Sequence, residues 1–282
     1  MVRYLKAPDG TYVVDVSGFD FVVYKSGTSY YAKNGRTGSI ERSGDGHTVT
    51  QYVIDTISDN GGGIARVMGV VEVDQYLIPK RGVMLVGSSD YKGGTDTPYG
   101  DYIRATASMT ALFQTDEYVE NFKIIGLGLD GNYLAQKGFV LTQGYDNWLI
   151  DCEICRMLDV GVEQTGGGEF VVYRCRLTGG KDSSATRSVG VRLTIDSEIS
   201  YSTVRSFKTG VEINGSIKVI GNLIYHGTEG MEKGIVITGT DNLVSENLFG
   251  RYTSVGIEVR NWSQIISNNR IRVKEELGDG VD

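Results

Sequence analysis

The sequence predicts an all-β fold, a right-handed parallel β-helix (solenoid) with an N-terminal β-hairpin and a capping α-helix. Three observations carry this. The chain has 39 Gly and 3 Pro in 282 residues, among many Val, Ile, Tyr and Thr, which favours short strands separated by tight turns. A Gly followed by alternating apolar residues returns six times, at Gly138, Gly161, Gly190, Gly210, Gly234 and Gly256, at intervals of 23, 29, 20, 24 and 22 residues, the period of a repeat architecture. A second short strand precedes each, from Phe122-Lys-Ile124 through Asn147-Trp-Leu149 and Phe170-Val-Val172, with Gln264-Ile-Ile266 closing the series, and behind it run two aligned columns.

The elements follow in chain order. Residues 1–45 are expected to form the hairpin extension and 46–282 the β-helix. Phe21–Asn34 holds two β-rich runs around Ser26-Gly27, a hairpin signature. Next, Val49, Tyr52, Val53 and Ile57 share one helical face, predicting a capping helix over 47–59 that the Asn60-Gly61-Gly62-Gly63 run stops. Such a helix shields the open end of a coil stack from water. Ile64–Met68 and Val83–Val86 would be the first, irregular coils.

About seven strand-turn-strand coils complete the stack. Their first column reads Leu127, Cys152, Cys175, Ser202, Asn222, Asn247 and Asn269, and their second Leu129, Ile154, Leu177, Val204, Ile224, Phe249 and Ile271. Coils stacked at about 4.8 Å turn each column into a ladder of like residues. The Asn ladder would satisfy buried backbone groups at a turn, and Gly would supply positive φ or close approach. Cys152 and Cys175 fall on adjacent rungs and should meet as packed thiols.

Composition narrows the function. The formal charge of −7 opposes a nucleic-acid partner held by phosphate attraction. No apolar run reaches the roughly 18–20 residues of a membrane span, and the Met1-Val2-Arg3 start lacks the apolar core of a signal peptide. The cysteines, Cys152, Cys155 and Cys175, match neither a disulfide framework nor a zinc site, so no metal ligand set is assigned.

Several segments resemble the pectate-lyase-like right-handed β-helix superfamily, which includes phage and archaeal surface proteins, polysaccharide lyases and mannuronan epimerases. They are Thr48–Ile57, Gly61-Gly62-Gly63-Ile64, Gly82–Gly87 and Leu129-Asp130-Gly131-Asn132, together with the coils, so that the likeness spans roughly residues 45–273. It implies a polysaccharide or cell-surface glycan as partner and an extracellular, cell-surface or virion-associated setting. The stretch Gly161-Val162-Glu163-Gln164-Thr165 is similar to the epimerase strand Gly-Phe-Asp-Pro-His, with Thr165 in place of the histidine. Lys137 matches a family lysine. The departure at Thr165 argues against carrying the epimerase reaction over.

Candidate residues lie on two faces. Two positions after each Gly stand Val140, Glu163, Arg192, Glu212, Val236 and Glu258, which puts Glu163, Arg192 and Glu212 on consecutive rungs. With Lys137 they form the candidate catalytic set, Arg192 clamping a uronate carboxylate and a flanking Glu serving as acid or base. An exposed ion ladder is the alternative reading. Asp130 and the loop residues Lys181, Arg187, His226 and Glu229 are the candidate substrate-binding set. Asp130, Asp146, Asp151 and Glu153 on neighbouring rungs form a pattern able to hold Ca²⁺, although Asp-Gly-Asn is also an ordinary turn. An apolar row of Trp148, Ile150, Val171, Tyr173, Ile220, Leu243 and Ile265 points outward, suggesting burial in a homotrimer or stacking on sugars. Two functions therefore stand. One is a carbohydrate-directed protein that binds, and in its stronger form cleaves or modifies, an extended polysaccharide along the Gly-strand face by lyase, hydrolase or epimerase chemistry. The other is a non-enzymatic spike, adhesin or surface scaffold.

Overall fold

The computed structural model describes residues 4–6, 12–14, 18–90, 99–179, 188–225, 231–250 and 255–271. Three long sheets wind around one apolar core. The glycine sheet has seven parallel strands, from Met109–Gln114 and Ala135–Leu141 to Val255–Val259. The central sheet has twelve, ending at Gln264–Ser267, and a third sheet has nine, from Val70–Val73 to Arg270–Ile271. From Met109–Gln114 onward each rung visits all three; one runs Val160–Gln164, Phe170–Tyr173, Arg176–Thr178.

The coils thus have three strands each, where the sequence pattern suggested two. The column Leu129, Ile154, Leu177, Val204, Ile224 and Phe249 is the inward row of the third sheet. The bend before it rests on one residue per rung in the left-handed region, such as Asp151, Arg174, Tyr201 and Glu246 at φ +50° to +60°. A single such residue redirects the strand, yet Leu149, Cys152 and Ile154 all still point inward. The corner shows in the sequence as one added residue, a step of three from Leu149 to Cys152, after which the alternation of a strand resumes at Ile154. A matching column, Asp146, Glu169, Asp196, Ser216 and Asp241, turns the chain from the glycine sheet into the central one, at φ +38° to +61°.

Side-chain ladders offset the cost of these corners. Ser202 N donates to Asn222 Oδ1, Asn222 N to Asn247 Oδ1 and Asn247 N to Asn269 Oδ1, each at 2.9 Å. The amides also donate inward, Asn222 Nδ2 to Ile199 O at 3.0 Å and Asn247 Nδ2 to Val219 O at 2.8 Å. Cys152 and Cys175 take the same place, their thiols donating to Ile124 O and Leu149 O at 3.3 Å. Both are unoxidised and interact with each other, and burial pushes the Cys175 thiol well up. A second ladder, absent from the sequence reading, lines the other corner. There Asn147 Oδ1, Ser197 Oγ and Asn242 Oδ1 accept from the N–H groups of Phe122, Phe170 and Ile217.

The repeated glycines act through close approach; none of the six has positive φ. A Cβ at Gly190 would lie 2.4 Å from Val204 Cγ1 and 2.5 Å from Gly210 O, and one at Gly210 would lie 2.7 Å from Ile224 Cγ2 and 2.6 Å from Gly234 O. The space vacated by each Gly holds the third-sheet apolar residue of its own rung.

At the N-terminal end Phe21–Ser26 and Ser29–Asn34 form the expected hairpin, turning at Gly27 with φ +61°. Ile40–Gly44 adds a third antiparallel strand, and Phe21–Ser26 runs parallel to Gly63–Met68. The hairpin is therefore continuous with the central sheet. Helix α1, Gly46–Asp59, is N-capped by Asp45, whose Oδ1 accepts from Thr48 N at 2.7 Å, and it buries Val49, Val53, Ile54 and Ile57. Tyr52 sits at the rim, edge-on to Phe21. Behind the cap, Phe113, Phe122, Phe139 and Phe170 stack through the core with centroids 5.5–6.1 Å apart. Among the described residues no helix is long and apolar enough to cross a membrane.

Candidate functional site

The outward row of the glycine sheet has the expected register: Val140, Glu163, Arg192, Glu212, Val236 and Glu258 pair in succession. Arg192 Nη1 donates to Glu163 Oε1 at 2.7 Å and Arg192 Nε to Glu212 Oε2 at 2.8 Å, while Lys137 Nζ holds Glu163 Oε2. The structure thus brings the whole candidate catalytic set together. Glu163 is buried, with only 6 % of its side chain exposed. Burial alone would raise its carboxyl, but the hydrogen bonds from Lys137 and Arg192 outweigh it and hold the group below the ordinary carboxylate range. Both oxygens already accept from cations, and an acid so lowered neither donates nor takes up a proton readily near neutrality. The row is an axial ion ladder closed on itself. Lys233 with Glu258, at 2.8 Å, repeats it two rungs on.

Asp130 is not placed to meet a substrate or Ca²⁺. It is fully buried, with Arg104 Nε on Oδ2 at 2.9 Å, Arg156 Nε on Oδ1 at 2.7 Å and Asn132 N on Oδ1 at 3.0 Å. Two guanidiniums beside a carboxylate repel a cation. Nor do its supposed partners converge on it. Asp146 accepts from Trp148 Nε1 and Asp151 pairs with Arg174. Glu153 is buried in the third sheet, its Oε2 without a hydrogen-bond partner. Burial pushes the Glu153 carboxyl up, against the pull of Arg176 and Arg205. Among the described residues, the one trio of carboxylate and imidazole groups close enough to share an ion is Asp45, His47 and Asp74, far along the chain from this set. Lys181, Arg187, His226 and Glu229 lie outside the described residues.

A groove of about 420 Å³ opens instead beside the first corner, across the central sheet. Its floor is Trp148 and Val171, with Glu198 and Lys218 continuing the same outward row. Its wall is the corner column Asp146, Glu169, Asp196 and Ser216. Asp146 Oδ1 accepts from Trp148 Nε1 at 2.6 Å, and Lys123 Nζ lies 5.2 Å from the indole centroid. These contacts fix the indole against the sheet. Tyr145, next to Asp146 in the chain, packs against Gly168 and lies 6.2 Å from Tyr118. The two phenols are 45 % and 50 % exposed. The sequence reading found Trp148 and Val171 as parts of an apolar row but missed Tyr145, Glu169, Asp196 and Glu198. Their signal was a run of polar corner residues that only the stacking aligns. The rest of the apolar row, Ile150, Tyr173, Ile220 and Leu243, is half-buried, and Ile265 is exposed.

No protein-family model matches the chain, and no curated protein matches it. Among solved structures it is similar to the tailspike protein of E. coli bacteriophage HK620. One mutant of that tailspike, in complex with a pentasaccharide, is 12 % identical over 82 % of this chain and 54 % of that one, with a TM-score of 0.56. Another, in complex with a hexasaccharide, is 13 % identical over 95 % of this chain and 62 % of that one, again at 0.56. The chain therefore spans less than two thirds of the tailspike's length. At such identity the likeness establishes the architecture: the chain is a parallel β-helix of the kind these phage tailspikes carry.

Proposed function

We propose that the protein binds an extended polysaccharide along the outside of the β-helix, in the groove over Trp148, without cleaving it. The groove carries this reading. It combines a fixed indole with polar acceptors repeated on consecutive rungs, beside an exposed tyrosine pair, the apolar-face and polar-rim chemistry that sugars require. The rung spacing of about 4.8 Å is close to the length of one sugar residue, so a linear glycan can repeat its contacts along the axis. The HK620 tailspike structures that share this architecture include complexes with a pentasaccharide and a hexasaccharide, which supports a glycan as the class of ligand. Cleavage is not supported, because the carboxylate best placed for it, Glu163, is committed to Lys137 and Arg192. A surface or virion setting accords with such a role.

A glycan array read with the wild type and Trp148→Ala tests this. Binding by the wild type is expected, with a loss of about tenfold or more in the variant, the size of one lost stacking platform. An array without any bound glycan would refute it. Products shortened or unsaturated by the wild type but not by Glu163→Gln would replace it with an enzymatic reading.

The half-buried row of Ile220 and Leu243 with exposed Ile265 favours a second role for the same sheet, as the contact face of a homotrimeric spike. Sedimentation of Leu243→Glu with Ile265→Glu addresses it separately, since neither residue lines the groove. An unchanged mass rejects the trimer.

A further inference from the structure

Charge is handled differently on the two outward faces. On the glycine sheet every carboxylate of the row has a cation: Glu163 has Lys137 and Arg192, Glu212 has Arg192, and Glu258 has Lys233 and Arg260. In the groove Glu169 and Asp196 have no side-chain partner among the described residues, and Glu198 uses one oxygen, accepting from Ser200 Oγ at 2.5 Å. Asp146 faces Lys123 at 4.0 Å, a contact at the limit of an ion pair. Lys218, at the far end, forms no ion pair with Glu198 although it is its neighbour in register. Among the described residues the wall thus keeps uncompensated negative charge on successive rungs, beside the Trp148 ring, whose face attracts cations.

Resting on the glycan-binding reading above, we infer that the groove selects an amine-bearing glycan, a chain of hexosamine units with free amino groups, and rejects uronates and sulfated sugars. The ammonium groups would sit against Glu169 and Asp196, while ring hydroxyls donate to the free oxygen of Glu198 and the apolar ring faces lie on Trp148 and Val171. A carboxylate or sulfate in the same place would face Glu169, Asp196 and Glu198 with Lys218 to answer them, Lys123 lying against Asp146. This reverses the expectation, drawn from the Arg192 row, of a uronate clamp.

Calorimetry of the full chain with three probes of equal length tests the inference: a glucosamine oligomer, its N-acetylated counterpart and an oligogalacturonate. The glucosamine oligomer should bind about five- to tenfold more tightly than the acetylated one, the size expected of two exposed ion pairs, and should lose that advantage at high salt. Glu169→Gln with Asp196→Asn should bring the two to equal affinity without altering the unfolding midpoint, since both side chains are exposed. Equal affinities in the wild type, or galacturonate binding as tightly as glucosamine, would overturn the amine selectivity while leaving glycan binding intact. Failure of all three probes together with an empty glycan array would remove both.

Discussion

Glu163 and Glu153 both stand on outward faces, both are buried, and their carboxyls are displaced in opposite directions. Glu163 is held below its ordinary value of 4.5 by Lys137 and Arg192. Its ionised form therefore adds stability that is complete above that value and lost as the pH falls through the lower folded one. Glu153 is raised from the same 4.5 by burial, so ionising it removes stability as the pH climbs from there through the raised folded value. Glu163→Gln should therefore cost about 1–3 kcal/mol at pH 7, the worth of hydrogen bonds to a charged group, and less at pH 3. Glu153→Gln should instead raise the urea midpoint at pH 7 and leave it unchanged at pH 3. Urea melts at the two pH values read both. The glycines set a steric constraint of the same locality: Gly190→Ala places a Cβ against Val204 and the Gly210 carbonyl and should destabilise by about 1–3 kcal/mol. The Glu163 row and the Gly column were both visible in the sequence, because each recurs at one phase of every repeat. The displacement of Glu153 was not, since nothing local to Asp151–Cys155 states what lies over that strand.

Within each coil the strands are three to five residues long for most of the stack, and the corners decide the fold. A non-Gly residue in the left-handed region costs on the order of 1 kcal/mol, and two such residues recur in most rungs. The following side chain offsets this by binding backbone groups the corner would strand. Asn222→Ala removes an acceptor for Ser202 N and a donor to Ile199 O, both buried, and should cost about 2–4 kcal/mol by thermal or denaturant melting. Cys152 and Cys175 could be placed on this ladder from spacing alone, but not their role. A thiol donates to the same carbonyl position as an Asn amide, although composition treats it as an apolar group. The third sheet stayed hidden for a related reason, because the corner at Asp151 adds a single residue between inward Leu149 and Cys152 and the alternation resumes at once at Ile154.

Along the whole molecule, each rung touches only its neighbours, so stability is a sum of rung and interface contributions and falls where an interface is missing. The inward column Ile199, Val219, Val244, Ile266 shows this, since Ile199 is fully buried and Ile266 is 42 % exposed in the last described rung. Ile199→Ala should cost about 2–5 kcal/mol and Ile266→Ala under about 1, a contrast that calorimetric melting would reveal. Equal losses would show that the last rung is covered in solution. The sequence by itself determined the periodicity: which residues point in, where like residues stack, and that a helix with Val49, Val53 and Ile57 closes one end. Those properties are set by side-chain alternation and by residues a few positions apart. Only the tertiary structure decided that each coil has three sides, that Glu163 is locked between two cations, and that Trp148, Glu169 and Asp196 share one groove. Residues 20–29 positions apart become neighbours through backbone hydrogen bonds between rungs, and loops of unequal length place them at a lateral position that no fixed spacing in the chain encodes.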